Sequence, residues 1–160
     1  MGLTLVIARH AKSDWNAGAH SDHERPLNGR GLKQATQLGE LLVQRGYEPS
    51  LILSSDSRRT EETALLMEPT FESVDIQFLH SLYLGDLHDI SSAVISHGGD
   101  HRTILVLGHN PGSSLAAALL SSKAVELKTA CAAVLQTKTT DWEAAFLTKD
   151  FELVARIEGR

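Results

Sequence analysis

Arg9 and His10 follow the apolar run Leu3 to Ala8, Arg58 and Arg59 lie shortly after the run Leu51 to Leu53, and His109 comes just after the run Thr103 to Leu107. An apolar run of this kind reads as a strand covered on both faces. Polar residues gathered at three such ends are candidates for one crevice. Two imidazoles and at least two guanidiniums make a poor apolar pocket, but they suit a phosphoryl group, whose oxygens accept bidentate arginine bonds. The segment Gly108 to Gly112 adds small residues and free N–H groups at the start of an expected helix, a further anion-binding feature.

Other phosphate chemistries need strings this chain lacks. No GxxxxGK[ST] loop occurs, and neither HExxH nor a paired-cysteine ligand motif occurs. A neutral imidazole can itself attack phosphorus and later release the group to water, dividing one displacement into two. His10 is the candidate for that nucleophile. No cofactor and no metal is required by this reading.

The elements that would position these groups alternate. Expected strands are Leu3–Ala8, Leu51–Leu53, Val74–Phe78, Thr103–Leu107, Ala132–Gln136 and Leu153–Ile157. Helices are expected over Gly31–Arg45, where Leu32, Ala35, Leu38, Leu41 and Leu42 recur at helical spacing, and over Ser57–Met67 and Pro111–Leu120. For the last helix Asn110 would be the N-cap and Pro111 would open the first turn. The alternation predicts an α/β protein, a three-layer α/β/α sandwich around a mainly parallel sheet of about six strands, with ligands beyond the carboxyl ends of the strands.

At 160 residues, 42% hydrophobic and 22% charged, the chain fits one globular domain over residues 1–160, with no repeat or linker to divide it. A net charge of −5 argues against a nucleic-acid binder held by phosphate contacts. The N-terminal apolar run is too short to span a membrane and has no basic start of the signal-peptide kind, so a cytoplasmic protein is expected. Cys131 is the sole cysteine and sits in an apolar stretch, as a buried, inert thiol would. His20, His23, His80, His88, His97 and His101 fall in polar stretches without ligand spacing and are expected on the solvated surface.

RHAKS (Arg9–Ser13), DHERPLNGRG (Asp22–Gly31), SSDSRRTEET (Ser54–Thr63) and LGHNPG (Leu107–Gly112) occur in that order. In this combination the chain resembles the histidine phosphatase superfamily, the phosphoglycerate-mutase-like group with an Arg-His-Gly or Arg-His-Ala tripeptide after the first strand. The short length and the RPL and GHNPG forms are similar to its small SixA-like branch, whose named members are phosphohistidine phosphatases.

The resemblance implies His10 as the nucleophile, Arg9 and Arg59 as clamps on the transferring group, and His109 as a donor to a phosphoryl oxygen. Arg59 is selected over Arg58 because the pattern's arginine stands four residues before Thr63. Arg25, Ser13 and Asn110 are candidate substrate-binding residues, although a surface ion pair of Arg25 with Asp22 or Glu24 fits its position too. Larger relatives use a glutamate as general acid where this chain has Tyr83. Asp22 is the candidate replacement, a role that demands a raised pKa. Asp56 replaces the proline of the SSP form and would cap a helix or weaken phosphate binding.

The implied activity is metal-independent hydrolysis of phosphohistidine on a signalling protein, with no nucleic-acid or membrane partner. The alternatives are a phosphomonoesterase for a small phosphorylated metabolite, a non-catalytic phosphoprotein binder, and a metallohydrolase using His10, His109 and a loop carboxylate.

Overall fold

The computed structural model describes residues 2–160. Six strands form one sheet in the order β3-β2-β4-β1-β5-β6. These are β1 (Leu3–Arg9), β2 (Leu51–Ser55), β3 (Asp75–Leu79), β4 (Thr103–Gly108), β5 (Cys131–Thr137) and β6 (Glu152–Glu158). The pairs β1·β4, β2·β4 and β2·β3 are parallel, whereas β5 runs antiparallel to both β1 and β6. The expected α/β sandwich with a mainly parallel sheet is therefore what the chain forms, with one reversed strand.

Among the described residues, five α-helices cover the sheet: α1 (Gly29–Gln44), α2 (Arg58–Met67), α3 (Leu87–His97), α4 (Gly112–Ser121) and α5 (Trp142–Thr148). Side chains along a strand alternate between faces, and β1 shows how both faces become buried. Leu3, Leu5 and Ile7 join a core with Val94, Leu120 and Phe146 of α3, α4 and α5. Val6 and Ala8 join a second core with Leu38 and Leu42 of α1 and Met67 of α2. Each fully buried leucine of this kind contributes about 1.5–3 kcal/mol against exposure, and together they hold the central strands rigid behind the site.

Local chemistry sets the helix starts. The Asn28 side chain accepts from Gly31 N, and Ser57 accepts from Thr60 N. α4 begins one residue later than expected, at Gly112 with Pro111 in the cap position; the Asn110 Oδ1 still accepts from Ser114 N (3.3 Å) in the first turn and from Ser114 Oγ, while its Nδ2 donates to the Leu127 carbonyl. Glycine is demanded at 112, because a Cβ there would run into the Gly85 carbonyl where the β3–α3 loop crosses the α4 start. That close approach brings Tyr83 beside His109.

Helices α3 and α5 were not anticipated. α3 buries only Ile90, Ala93 and Val94 and is started by an Asp86/Asp89 capping box, and α5 is one short stretch capped by Asp141. Among the described residues no helix is long and apolar enough to cross a membrane.

Candidate active site

Arg9 ends β1 and His10 follows it, Ser55 ends β2 and Arg59 lies in the first turn of α2, and His109 follows β4. These strands are neighbours with carboxyl ends on one side, so the three segments meet. Thr63 fixes their mutual position: its hydroxyl donates to the Arg59 carbonyl (2.7 Å) one helical turn back and accepts from Ala11 N (3.1 Å). A cavity between Leu3, Thr137 and Phe151 lies at the opposite end of the sheet, away from these groups.

His10 is buried, and its Nδ1 lies 2.6 Å from the Ala11 carbonyl oxygen. A carbonyl only accepts, so Nδ1 carries the proton. Burial, opposed by that bond and reinforced by repulsion from His109 when that ring is protonated and by Arg59 and Arg9, lowers the imidazole pKa to about 3. At neutral pH Nε2 therefore bears a free lone pair, and Arg59 Nε donates to it at 3.3 Å.

His109 is also buried, with a ring centroid 5.4 Å from that of His10. Burial and Arg59 lower its pKa to about 3, so its resting form is the neutral imidazole. Arg59 Nη2 donates to His109 Nδ1 (3.2 Å), which leaves Nε2–H to donate to Ser55 Oγ (2.9 Å). The Ser55 hydroxyl can rotate, so Ser55 can instead donate to Nε2 and leave the ring proton on Nδ1, facing the crevice.

Arg59 is 3% exposed and bonds His10, His109 and Asp22, whereas Arg58 is exposed and pairs with Glu62 (3.2 Å). Arg9 donates to the Leu127 carbonyl (3.4 Å). Arg25 is buried, donates to Ser13 Oγ and to Asp22 (3.0 Å), and lies 3.6 Å over the ring of Trp15. It is thus paired with Asp22 and part of the cluster at once. The Nε atoms of Arg9 and Arg25 are buried without an acceptor, which typically costs about 1–3 kcal/mol each and which an anion would relieve.

Asp22 does not meet the demand placed on it as a proton donor. Partial burial works to raise its pKa, but bonds from Tyr83 (2.6 Å), Arg25 (3.0 Å) and Arg59 (2.9 Å) prevail and hold it far below the ordinary carboxylate range. It rests as a carboxylate and is the counter-ion of Arg59. Asn110 is likewise committed elsewhere, tying the Leu127 loop to α4 rather than pointing free into the crevice. Three guanidiniums against one carboxylate and two neutral imidazoles leave an excess of two positive charges, a match for a phosphoryl dianion.

Several residues here were not singled out from sequence. Tyr83 lies edge-on to His109 at 5.4 Å while holding Asp22. Trp15, 77% exposed, stacks on Arg25 and lines a groove with Asp14, Ser21 and Asp22. His23 and His80, expected as solvated surface residues, converge on Asp56, which caps no helix because Ser57 does.

The two depressed imidazoles make a stability prediction. Their folded pKa values lie near 3 and the ordinary value is 6.5, so between these limits the unfolded chain binds protons that the folded site refuses. Stability should therefore fall as pH drops through that window, on the order of 2 kcal/mol per imidazole between pH 7 and pH 5. Urea midpoints at the two pH values check this; the shift should shrink in His10→Gln and again in the double variant with His109→Gln.

Residues 5–90 match the Histidine phosphatase superfamily (branch 1). A chloroplastic, uncharacterised protein of Arabidopsis thaliana is 38% identical over 152 residues, covering 89% of this chain and 70% of that protein. Glucosyl-3-phosphoglycerate phosphatase of Mycolicibacterium vanbaalenii is 35% identical over 89 residues, 51% of this chain and 37% of that protein. Among solved structures, a candidate phosphohistidine phosphatase SixA of Nakamurella multipartitia superposes with TM-score 0.84 at 27% identity, covering 99% of this chain and 96% of that one.

Proposed function

The chain belongs to the histidine phosphatase superfamily and is a phosphatase of that family, of the SixA-like branch; from that premise we propose that it hydrolyses phosphohistidine on a protein without a metal, through a covalent intermediate on His10. The observation that carries this reading is the His10 imidazole itself, its single proton held on Nδ1 by the Ala11 carbonyl and its bare Nε2 directed at Arg59.

In the first step Nε2 attacks phosphorus, the Nε2–P bond forms, and the bond from phosphorus to the substrate's imidazole nitrogen breaks. That leaving nitrogen takes its proton from water. In the second step water attacks phosphorus, the Nε2–P bond breaks with its electron pair returning to His10, and orthophosphate departs as the water's proton passes to solvent. Arg9 and Arg59 hold the equatorial oxygens, Arg25 adds a third cation from the loop, and Ser13 orients Arg25. His109 donates from Nδ1 once Arg59 has turned to the anion and Ser55 donates to Nε2.

An imidazole leaving group suits a crevice whose one central carboxylate is ionised and paired, because P–N cleavage asks less of a general acid than ester cleavage does. A divalent cation between His10 and His109 would meet Arg59 rather than a carboxylate, which supports metal-free chemistry there. Trp15 and its groove beside Arg25 offer an open apolar contact for a protein surface.

A small phosphate ester is the second reading, favoured by the glucosyl-3-phosphoglycerate phosphatase likeness. Phosphate release from a phosphorylated histidine phosphotransfer domain should exceed release from sugar phosphates by at least about tenfold in kcat/KM, with no loss after exhaustive chelation. Faster turnover of the esters would replace the first reading by the second, and loss on chelation would refute the metal-free route.

A further inference from the structure

At the rim of the crevice, three residues that the chemistry above does not use bring two imidazoles and a carboxylate together. His23 comes from the turn before Arg25, Asp56 from the loop between β2 and α2, and His80 from the turn after β3. His23 Nε2 lies 2.8 Å from Asp56 Oδ1 and His80 Nδ1 lies 3.0 Å from Asp56 Oδ2, and one ligand atom from each residue falls within 4.8 Å of the others. Among the described residues Asp56 has no lysine or arginine partner; its ion-pair partners are the two imidazoles. Tyr83 braces both rings, with centroids 4.8 Å from His23 and 5.9 Å from His80.

We propose that His23 Nε2, His80 Nδ1 and the Asp56 carboxylate form a binding site for zinc(II) or a similar borderline transition-metal ion. Two imidazole nitrogens and one carboxylate oxygen are a donor set suited to such an ion, whereas magnesium and calcium call for oxygen ligands throughout. Zinc bonds of about 2.0–2.1 Å in tetrahedral geometry separate ligand atoms by roughly 3.3 Å. The spacings of 2.8 and 3.1 Å from His23 Nε2 and His80 Nδ1 to Asp56 Oδ1 need to open by a few tenths of an ångström, and the two imidazole nitrogens, within 4.8 Å of each other, close on the ion by turning the exposed His80 ring. The side chains are 29%, 31% and 75% exposed for His23, Asp56 and His80, so the ion can enter and complete its coordination with water. The ion would sit outside the phosphate crevice, joined to it through Tyr83, whose hydroxyl donates to Asp22. It has no part in the phosphoryl transfer, and the site stands whether or not phosphohistidine is the substrate.

The test uses the untagged full chain, freed of metal by dialysis against a chelator. Calorimetric titration with zinc chloride should show one ion per chain, and cobalt(II) should give the visible absorption of a tetrahedral site. His80→Ala and Asp56→Asn should each weaken zinc binding by at least about tenfold, since loss of a direct ligand costs no less than loss of a supporting contact. His20→Ala and His88→Ala should leave it unchanged, with circular dichroism confirming that all variants fold. Absence of saturable uptake, or uptake equal to wild type in both His80→Ala and Asp56→Asn, would overturn the proposal.

Discussion

Replacing His10 by alanine is expected to abolish formation of a phosphoenzyme and to lower kcat/KM on the order of 10^4-fold or more, because no other group can take its place. Among the described residues His109 is the only rival imidazole beside His10 in the crevice. Its Nδ1 is bare at rest, but that atom lies against Arg59 Nη2 at 3.2 Å and gains a proton whenever Ser55 donates to Nε2. His10 has no such freedom, since the Ala11 carbonyl can only accept and keeps the lone pair on Nε2. The variant should remain folded: the backbone bonds of residue 10, to Gly108 O (3.2 Å) and from Ala130 N (2.9 Å), do not depend on the side chain. Removing a buried neutral imidazole should also make the protein less sensitive to acid. Incubation with a radiolabelled phosphodonor, followed by quenching in alkali and gel analysis, reads the covalent step directly. Wild type should carry an alkali-stable, acid-labile label, His109→Ala should still carry it, and His10→Ala should carry none. Full labelling of His10→Ala would rule out this nucleophile.

Much of this arrangement is legible in the sequence because parallel strands buried on both faces leave their mark as apolar runs, and the residue just past the run is then at the ligand side. That reasoning brings Arg9, His10, His109 and the pair Arg58 and Arg59 to one edge, and the resemblance, not the run, selects Arg59. The spacing of Arg59 and Thr63 has a physical content as well: four residues place the threonine hydroxyl on the Arg59 carbonyl and under Ala11 N. The reversal of β5 is not legible, since Cys131–Thr137 reads the same whether its neighbour runs parallel or antiparallel. Helix α3 escapes notice because its exposed face of serine, histidine and aspartate looks like loop and only three of its residues are buried.

The protonation state of Asp22 is a tertiary property. Its nearest sequence neighbour in the bond network is Arg25, but Arg59 and Tyr83, 37 and 61 positions away, help keep it ionised. Contacts over such distances leave no periodic trace. His23 and His80 stand 33 and 24 positions from Asp56, far outside any ligand-spacing pattern. The carboxylate at position 56, where the resembling pattern carries proline, reads in sequence as a helix cap or a weakening of phosphate binding, and nothing local ties it to either histidine.

Arg59→Ala should be the second most damaging change, lowering kcat on the order of 10^3-fold, because one guanidinium holds together both the anion site and its resting state. Nε donates to His10, Nη1 to the Asp22 carbonyl oxygen (2.7 Å), and Nη2 to both the Asp22 carboxylate (2.9 Å) and His109. Removing it takes away a transition-state cation and, at the same time, leaves Asp22 with less positive charge to balance it, so that the carboxylate repels the incoming phosphoryl group. The second effect can be separated from the first. Asp22→Asn in the Arg59→Ala background should restore part of the loss, about tenfold, whereas the same substitution in wild type removes the counter-ion and should tighten phosphate binding while leaving kcat within a few-fold; the difference is the coupling measured by a double-mutant cycle. Arg59→Lys should fall well short of wild type, since an ammonium keeps the charge but cannot reach His10, His109 and two oxygens of Asp22 in one plane. If Arg59→Lys matched wild type in kcat/KM, the fork geometry would be irrelevant, and Arg59 would be no more than a local positive charge.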